Sequence, residues 1–158
     1  MRYDPAKPLE YSEHFIVDEN LRDRPLDRKP LKARIEYLNS IEIDEKDLEG
    51  QVQKFGEIGG LLRVLEEFDL ADQCLTEAMR VIVENQLNHR LLIVVGTKLA
   101  NLRQWQQNFD ASNAMFNQLL SVCENFNDCN DLADYVYQHH GKNLFFQGRY
   151  EEALSFFE

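Results

Sequence analysis

A chain of 158 residues, with 44% apolar and 28% charged residues, is long enough for one domain with a sizeable core. Its net charge of −11 argues against nucleic acids and anionic membrane surfaces as partners, because both are bound through clustered Lys and Arg. No apolar run approaches the ~18 residues that span a membrane, and the first residues, MRYDPAKPLEYSEH, lack the apolar core of a signal peptide. Three cysteines, an odd number, fit reduced thiols, so we expect a cytoplasmic protein.

Residues 1–44 are predicted to form an N-terminal arm that ends in a capping helix. All four prolines lie in this segment. Pro30 suits the first turn of a short helix, PLKARIEYLNSI, because its missing N–H is not needed there. The preceding residues 13–29 show no helical apolar stripe, and HFIV within them is predicted to be an extended segment or a short strand.

Residues 45–158 are predicted to form a succession of helices, with boundaries set by N-caps and helix breakers. Asp44 is the expected N-cap of the first long helix, since acidic residues follow in its first turn. Asp128 or Asn130 is expected to cap a later helix after the polar loop NFNDCND. The predicted helices run over roughly 45–67, 68–86, 89–108, 110–125 and 130–147, and a last one begins after the turn at Gly148.

The helical region aligns with itself when it is shifted by 41 residues. The aligned positions share residue size and aromaticity rather than identity, because small, large and aromatic residues recur at fixed places. A small residue in mid-helix lets a neighbouring helix approach, and an aromatic residue near the turn locks the two helices together. The aligned columns are Gly59, Ala100 and Gly141; Leu62, Arg103 and Leu144; Val64, Trp105 and Phe146; Phe68, Phe109 and Tyr150; Ala71, Ser112 and Ala153; and Leu75, Phe116 and Phe157.

The last of these segments resembles the tetratricopeptide repeat, a helix–turn–helix unit, through Gly141, Leu144, GRYEEAL and Phe157. The segment GGLLRVLEEFDLADQCL matches fairly, and ANLRQWQQNFDASNAMF matches more weakly. The resemblance covers roughly residues 45–158. It departs from the family in three ways. The period here is 41 residues, whereas that of the family is usually ~34. The proline that usually ends the second helix is missing, and Arg103 and His140 replace an aromatic residue and a leucine.

The resemblance implies an all-α fold, a right-handed superhelical stack of antiparallel helix hairpins. Residues 45–158 would then form a TPR-like repeat domain of about three hairpins, the last one truncated. The alternative is an all-helical bundle whose periodicity is coincidental.

No catalytic signature occurs in the sequence, so we expect a protein that is not an enzyme and needs no cofactor. A zinc site built from Cys123, Cys129, His139 and His140 lacks the paired ligand spacing of such sites, so no metal is expected. Buried roles explain these residues better: cysteine is a small core residue, and one histidine is expected at a repeat interface. The acidic residues of NDCNDLAD suit a helix N-terminus.

In the tetratricopeptide family the first helix of each hairpin lines a concave groove that holds a peptide or a partner helix. The resemblance implies that Trp105 and Phe146, one repeat apart, anchor an apolar side chain there; the alternative is that they belong to the interhelix core. Some members of the family bind the C-terminal carboxylate of a partner through Lys and Asn side chains of the inner helices. Asn101 matches one of these positions, but the first unit has Gly56 and Gly60 instead, so this carboxylate clamp is largely absent. The predicted partner-binding residues are Arg63, Thr97, Asn101, Gln104, Trp105, Tyr135, Gln138, Lys142, Phe145 and Phe146.

The expected function is therefore that of a non-enzymatic adaptor or scaffold that binds a protein or peptide partner. The arm is expected to cap the stack; the less favoured alternative is that it occupies the groove and regulates access. A second hypothesis, based on the net charge, is an acidic inhibitor, an immunity-type protein or a secretion chaperone that masks a basic partner. Leu154, Phe156 and Phe157 cannot all face the preceding helix. We therefore expect either a fragment of a longer repeat protein, which is the favoured interpretation, or burial of this end against another copy or a partner.

Overall fold

The chain folds into eight α-helices and a small two-stranded sheet across residues 4–20 and 22–157, the part that this computed structural model describes. Helix accounts for 73% of the structure, as the all-α prediction requires. No helix in these ranges has the length and hydropathy needed to cross a membrane. The elements are α1 (Tyr11–His14), β1 (Phe15–Val17), β2 (Asp23–Pro25), α2 (Arg28–Ser40), α3 (Leu48–Val64), α4 (Phe68–Glu84), α5 (His89–Trp105), α6 (Phe109–Asn125), a 3₁₀ helix (Asn127–Leu132), α7 (Ala133–Phe146) and α8 (Tyr150–Ser155).

Side-chain caps fix the starts of three long helices, each of 17 residues. Asp47 accepts a hydrogen bond from the Gly50 amide at 3.0 Å, so α3 begins after Asp47 and the predicted cap at Asp44 is wrong. The carboxylate of Asp44 instead accepts from the Lys46 amide within the preceding turn. Asn88 and Asn108 cap α5 and α6 in the same way.

The predicted cap of α7 at Asp128 or Asn130 is also wrong. Both residues lie inside the 3₁₀ helix, which buries Cys129 completely and runs directly into α7. The carboxylate of Asp131 is held by the guanidinium of Arg90, with oxygen–nitrogen distances of 2.6 and 2.9 Å. This hydrogen bond lowers the pKa of Asp131 and joins the segment to the start of α5.

The turns that join α3 to α4, α5 to α6 and α7 to α8 share one backbone conformation. Their left-handed residues are Glu66, Gln107 and Gly148, with φ of 63°, 62° and 77°, and they follow one another at 41-residue intervals. The next amide in each turn donates back across the helix end to the carbonyl of Leu62, Arg103 or Leu144, at 2.8–3.0 Å. The 41-residue interval found in the sequence is thus present in the backbone of these three turns.

The aligned columns also meet in space. A β-carbon added to Gly59 would lie 2.6 Å from Leu75 Cγ, and one added to Gly141 would lie 2.7 Å from Phe157 Cζ. The absence of a side chain at these two positions therefore lets the second helix of each hairpin approach the first. In the middle hairpin, the Ser112 hydroxyl lies 2.9 Å from the carbonyl oxygen of Ala100.

Each helix from α3 to α8 packs on the next, and α5 also contacts α3 on one side and α7 on the other. The three first helices of the hairpins therefore lie side by side. We call the surface that they present to the N-terminal segment the inner face. It is lined by Arg63, Lys98, Asn101, Gln104, Trp105, Tyr135, His139, Lys142 and Phe146.

The N-terminal arm is more structured than the sequence indicated. β1 and β2 pair antiparallel, with Phe15 opposite Pro25 and Val17 opposite Asp23, so the extended segment predicted at HFIV includes a strand. Asp27 caps α2, with Pro30 in its first turn. Leu31 of α2 is completely buried in a cluster that includes Leu61 and Val64, so α2 covers one side of α3.

The end of the chain carries partly exposed apolar side chains. Leu154 is 60% exposed and Phe157 is 52% exposed, whereas Phe156 is half-buried against Tyr137 and His140. His140 is 4% exposed and stacks on Phe116 of α6. One histidine thus lies at the interface of two hairpins, as expected, and self-association through α8 stays a prediction.

Candidate functional site

Two clefts lie between the arm and the inner face. The larger has a volume of about 290 Å³ and the smaller about 30 Å³. Both are lined by Asp23 of the arm and by Arg63, Asn101 and His139 of the inner face. The arm therefore does not merely border the inner face but lies over it.

Arg22 of the arm occupies an aromatic slot on the inner face. Its guanidinium carbon lies 5.1 Å from the ring centre of Trp105 in α5 and 5.3 Å from that of Phe146 in α7. A guanidinium at this distance from a ring face is attracted by the ring quadrupole. Trp105 is only 7% exposed, and its edge also meets Phe68 at 6.1 Å.

Arg63, at the last turn of α3, is a cation without a matched partner. Its guanidinium carbon lies 5.0 Å from the Trp105 ring, but its buried Nε has no hydrogen-bond partner. Burial lowers the pKa of Arg63, and the charges of Asp23 and Tyr135 act against that shift. Within the described ranges no carboxylate lies within ion-pair distance of this guanidinium.

Asp23 is the carboxylate that the arm brings to the inner face. Its Oδ1 accepts a hydrogen bond of 2.7 Å from the Tyr11 hydroxyl. Burial and this hydrogen bond raise the pKa of Tyr11 to about 12, so Tyr11 is a neutral donor at physiological pH. The negative charge of Asp23 favours the protonated forms of Arg63 in α3 and of His139 in α7, so one carboxylate acts on two inner helices.

Two further contacts, to Glu66 and to Leu65, hold the arm at the end of α3. Arg24 bonds Asp18 within the hairpin at 2.8 Å and Glu66 at 3.3 Å. Arg28 donates to the carbonyl oxygen of Leu65 at 2.6 Å. The hydrogen bond from Arg24 lowers the pKa of Asp18, so this pair is ionised over the physiological range. These contacts orient β2 so that Arg22 and Asp23 face α5 and α7.

His139 is held neutral at the centre of the site. Burial, together with the charges of Lys142 and Arg63, lowers its pKa to about 4. The Asn101 amide nitrogen lies 2.9 Å from His139 Nδ1. An amide nitrogen only donates, so Nδ1 accepts and the neutral ring carries its hydrogen on Nε2. The ring also meets Tyr135 edge-on at 4.6 Å.

The inner face is cationic, although the chain as a whole is acidic. Lys98, whose pKa burial lowers, has its ammonium 3.3 Å from the Gly56 carbonyl oxygen, and Lys142 lines the smaller cleft. The nearby carboxylate of Glu57 accepts hydrogen bonds from Nε and Nη2 of Arg34, at 2.8 and 3.0 Å. Glu57, although paired with Arg34, also acts on Lys98, and Asp23 of the arm is the carboxylate whose charge acts on Arg63.

Most of the predicted partner-binding residues come together here. Arg63, Asn101, Gln104, Trp105, Tyr135, Lys142 and Phe146 all line the clefts. They do not form an open groove, since Asn101, Gln104 and Trp105 are each at most 7% exposed with the arm in place. Thr97 is fully buried, and its hydroxyl oxygen has no hydrogen-bond partner.

Two predicted residues lie elsewhere. Gln138 lines a cleft with Phe156 and Phe157 at the other side of α7, and Phe145 packs on Tyr150 of α8. Both were placed in the groove by projecting a single helical stripe along α7. Gln138 and Phe145 are seven residues, about two helical turns, apart, so they share the other flank of α7, which faces α8.

The sequence reasoning missed the arm residues Arg22 and Asp23, together with Lys98 and His139. Lys98 and His139 are one 41-residue period apart, and Glu57 precedes them by another period. This polar column was therefore visible in the repeat register. No comparable signal marked Arg22 and Asp23, because their position depends on a hairpin whose docking site is distant in sequence.

The cysteines take no part in this site. Cys123 and Cys129 are buried free thiols, and burial raises the pKa of both and that of Cys74. In residues 4–20 and 22–157, no group of three or more His, Cys, Asp or Glu side chains is placed to hold a metal ion. The arrangement is suited to binding, through aromatic surface, amides and cations.

Comparisons of this chain with protein-family models, with curated proteins and with solved structures find no match.

Proposed function

We propose that the chain is a non-enzymatic protein-interaction module that binds an extended peptide segment of a partner on its inner face. In this proposal α3–α8 form a tetratricopeptide-like, right-handed superhelical stack. The three turns with one conformation at 41-residue intervals support it. We place this role in the cytoplasm, in keeping with the free thiols.

One observation carries the proposal: an extended segment already lies on the inner face. Arg22, directly before β2, lies between rings contributed by α5 and α7. Asp23, the first residue of β2, lines the same cleft as Arg63 of α3. A single short segment thus engages all three inner helices. A partner peptide of similar shape would find the same aromatic slot and the same donors.

The hypothesis of an acidic inhibitor gains no support from this site, because the inner face is cationic. It stays a prediction that rests on the net charge of −11 and would use other surfaces.

The test is selection of peptides from a random displayed library on the full chain, followed by binding measurements on variants. Trp105→Ala with Phe146→Ala removes the aromatic slot. Phe126→Ala with Tyr137→Ala is the matched control, since these rings pack on His89 and Phe156, away from the clefts and from the slot.

We expect the selected peptides to bind the control as tightly as the parent and to bind the slot variant at least about tenfold more weakly. Equal affinity for both double variants would show that peptides bind elsewhere and would contradict the proposal. Circular dichroism at the binding temperature verifies that each variant is folded.

A further inference from the structure

We propose that the inner face selects a partner peptide that presents an Asp or Glu side chain to Arg63, and that the arm is an internal competitor for that peptide. This inference rests on the proposed function and adds the chemistry of the partner. The arm supplies a partial template: Asp23 lines both clefts together with Arg63 and His139, and Arg22 fills the neighbouring aromatic slot. Asp23 is hydrogen-bonded to Tyr11 and does not pair with Arg63, so a partner carboxylate would make the ion pair that the arm leaves unmade.

Charge complementarity specifies the acid. Movement of the arm off the inner face removes Asp23 and leaves Arg63, Lys98 and Lys142 facing solvent. Glu57 acts on Lys98, but its carboxylate is already paired with Arg34, so it does not offset the charges of Arg63 and Lys142 as well. A group of cations at the centre of an otherwise acidic molecule attracts a carboxylate and repels a basic side chain.

Unused hydrogen-bond donors specify an extended peptide. The Nε of Arg63 and the Nε2 of Gln104 are buried without partners while the arm is docked. Buried donors of this kind are costly, so a ligand that supplies acceptors to both gains over the arm. A carboxylate at Arg63 and a backbone carbonyl at Gln104 would satisfy them.

The arm is held loosely enough to be displaced. Its strands have three residues each, and a two-stranded hairpin of this size is marginally stable alone. Ile16 and Val17 are each 48% exposed, so β1 buries little apolar surface. The ion pair from Arg24 to Glu66 is half-exposed and adds little. The arm therefore lowers the affinity for a partner in proportion to the time that it spends docked.

The experiment measures binding of two fluorescein-labelled peptides to the full chain by fluorescence anisotropy. The first peptide copies residues 15–25, FIVDENLRDRP, and the second carries Asn in place of Asp23. Binding is compared in the wild type and in an arm-released variant, Arg22→Ala with Asp23→Asn. Asp23→Asn alone is the second variant should the double substitution reduce folding, and Glu19→Gln is the matched control, because it removes one exposed carboxylate of the same arm.

We expect the Asp peptide to bind the arm-released variant more tightly than the wild type or the Glu19→Gln control. We also expect it to bind the arm-released variant roughly tenfold more tightly than the Asn peptide. Adding Arg63→Gln to the arm-released variant should abolish its preference for the Asp peptide over the Asn peptide. Adding Arg80→Gln instead, on the exposed side of α4, should leave that preference unchanged.

Equal binding of the two peptides, or a preference that survives Arg63→Gln, overturns the assignment of the carboxylate site but leaves the peptide-binding function standing. Failure of both peptides to bind the arm-released variant contradicts this inference and the proposed function together. Equal binding of the Asp peptide to the wild type and to the arm-released variant shows that the arm does not compete.

Discussion

Trp105 shows how one side chain can fit two interpretations of the sequence. The repeat register placed it on the concave side, and the alternative placed it in the interhelix core. In the structure it lies on the inner face and yet is 7% exposed, because Arg22, Arg24 and Arg63 surround its ring at 5.1, 5.9 and 5.0 Å. Part of its cover thus comes from Arg22 and Arg24 of the arm, which the register of the helices could not reveal.

His139 should make the stability of the fold depend on pH. Folding lowers its pKa from 6.5 to about 4, so the neutral ring is favoured in the folded state. Its contribution is fully present above pH 6.5 and is lost as the pH falls from there toward 4. We expect the free energy of unfolding to fall by about 2 kcal/mol between pH 7 and pH 5 from this group alone.

Urea denaturation of the wild type and of His139→Gln at both pH values measures this effect. The variant should lose most of that dependence, although His140, whose pKa burial also lowers, leaves a remainder. His89→Gln, outside the inner face, is the control and should behave as the wild type. A wild-type slope that persists in His139→Gln would mean that His139 is not the group that titrates.

At the scale of elements, the packing of α3 on α4 depends on one glycine and not on its neighbour. A β-carbon at Gly59 would lie 2.6 Å from Cγ of the fully buried Leu75, whereas one at Gly60 would have Lys98 Cδ, at 3.8 Å, as its nearest neighbour. We expect Gly59→Ala to cost about 1–3 kcal/mol by overpacking. Gly60→Ala should be neutral or stabilising by up to about 1 kcal/mol, because alanine favours the helix.

Thermal unfolding of the two single variants tests this difference directly. The pair is closely matched, since the two glycines are adjacent in one helix and receive the same methyl group. Equal midpoints for both variants would show that α4 can shift away from α3 without cost.

The sequence predicted the elements well where local signals agreed with the packing. The 41-residue register aligned Gly59 with Gly141 and Leu75 with Phe157, and in the structure each of these glycines meets the large residue of its own hairpin. The caps at Asp44 and near Asp128 were wrong because several acids stand close together, and local pattern cannot tell which of them meets the helix end. The hairpin of residues 15–25 was predicted only in part, since its pairing and docking are tertiary contacts.

At the scale of the whole molecule, the arm turns a row of helical hairpins into a closed site. The net charge of −11 suggested a basic partner, but charge is unevenly distributed: the inner face gathers Arg63, Lys98 and Lys142 under one acid of the arm. The arm therefore lies in both places that the two interpretations of the sequence gave it, on one side of α3 and on the inner face. α2 covers α3, and the hairpin before it occupies the face that we propose for a partner.

Acrylamide quenching of Trp105, the single tryptophan of the chain, tests this account most directly. The account predicts weak quenching in the wild type and in Glu19→Gln, stronger quenching in the arm-released variant, and a return to weak quenching when the peptide FIVDENLRDRP is added to that variant. Weak quenching that is the same in all of these proteins, with and without the peptide, would place Trp105 in a core that the arm does not cover and would contradict the account.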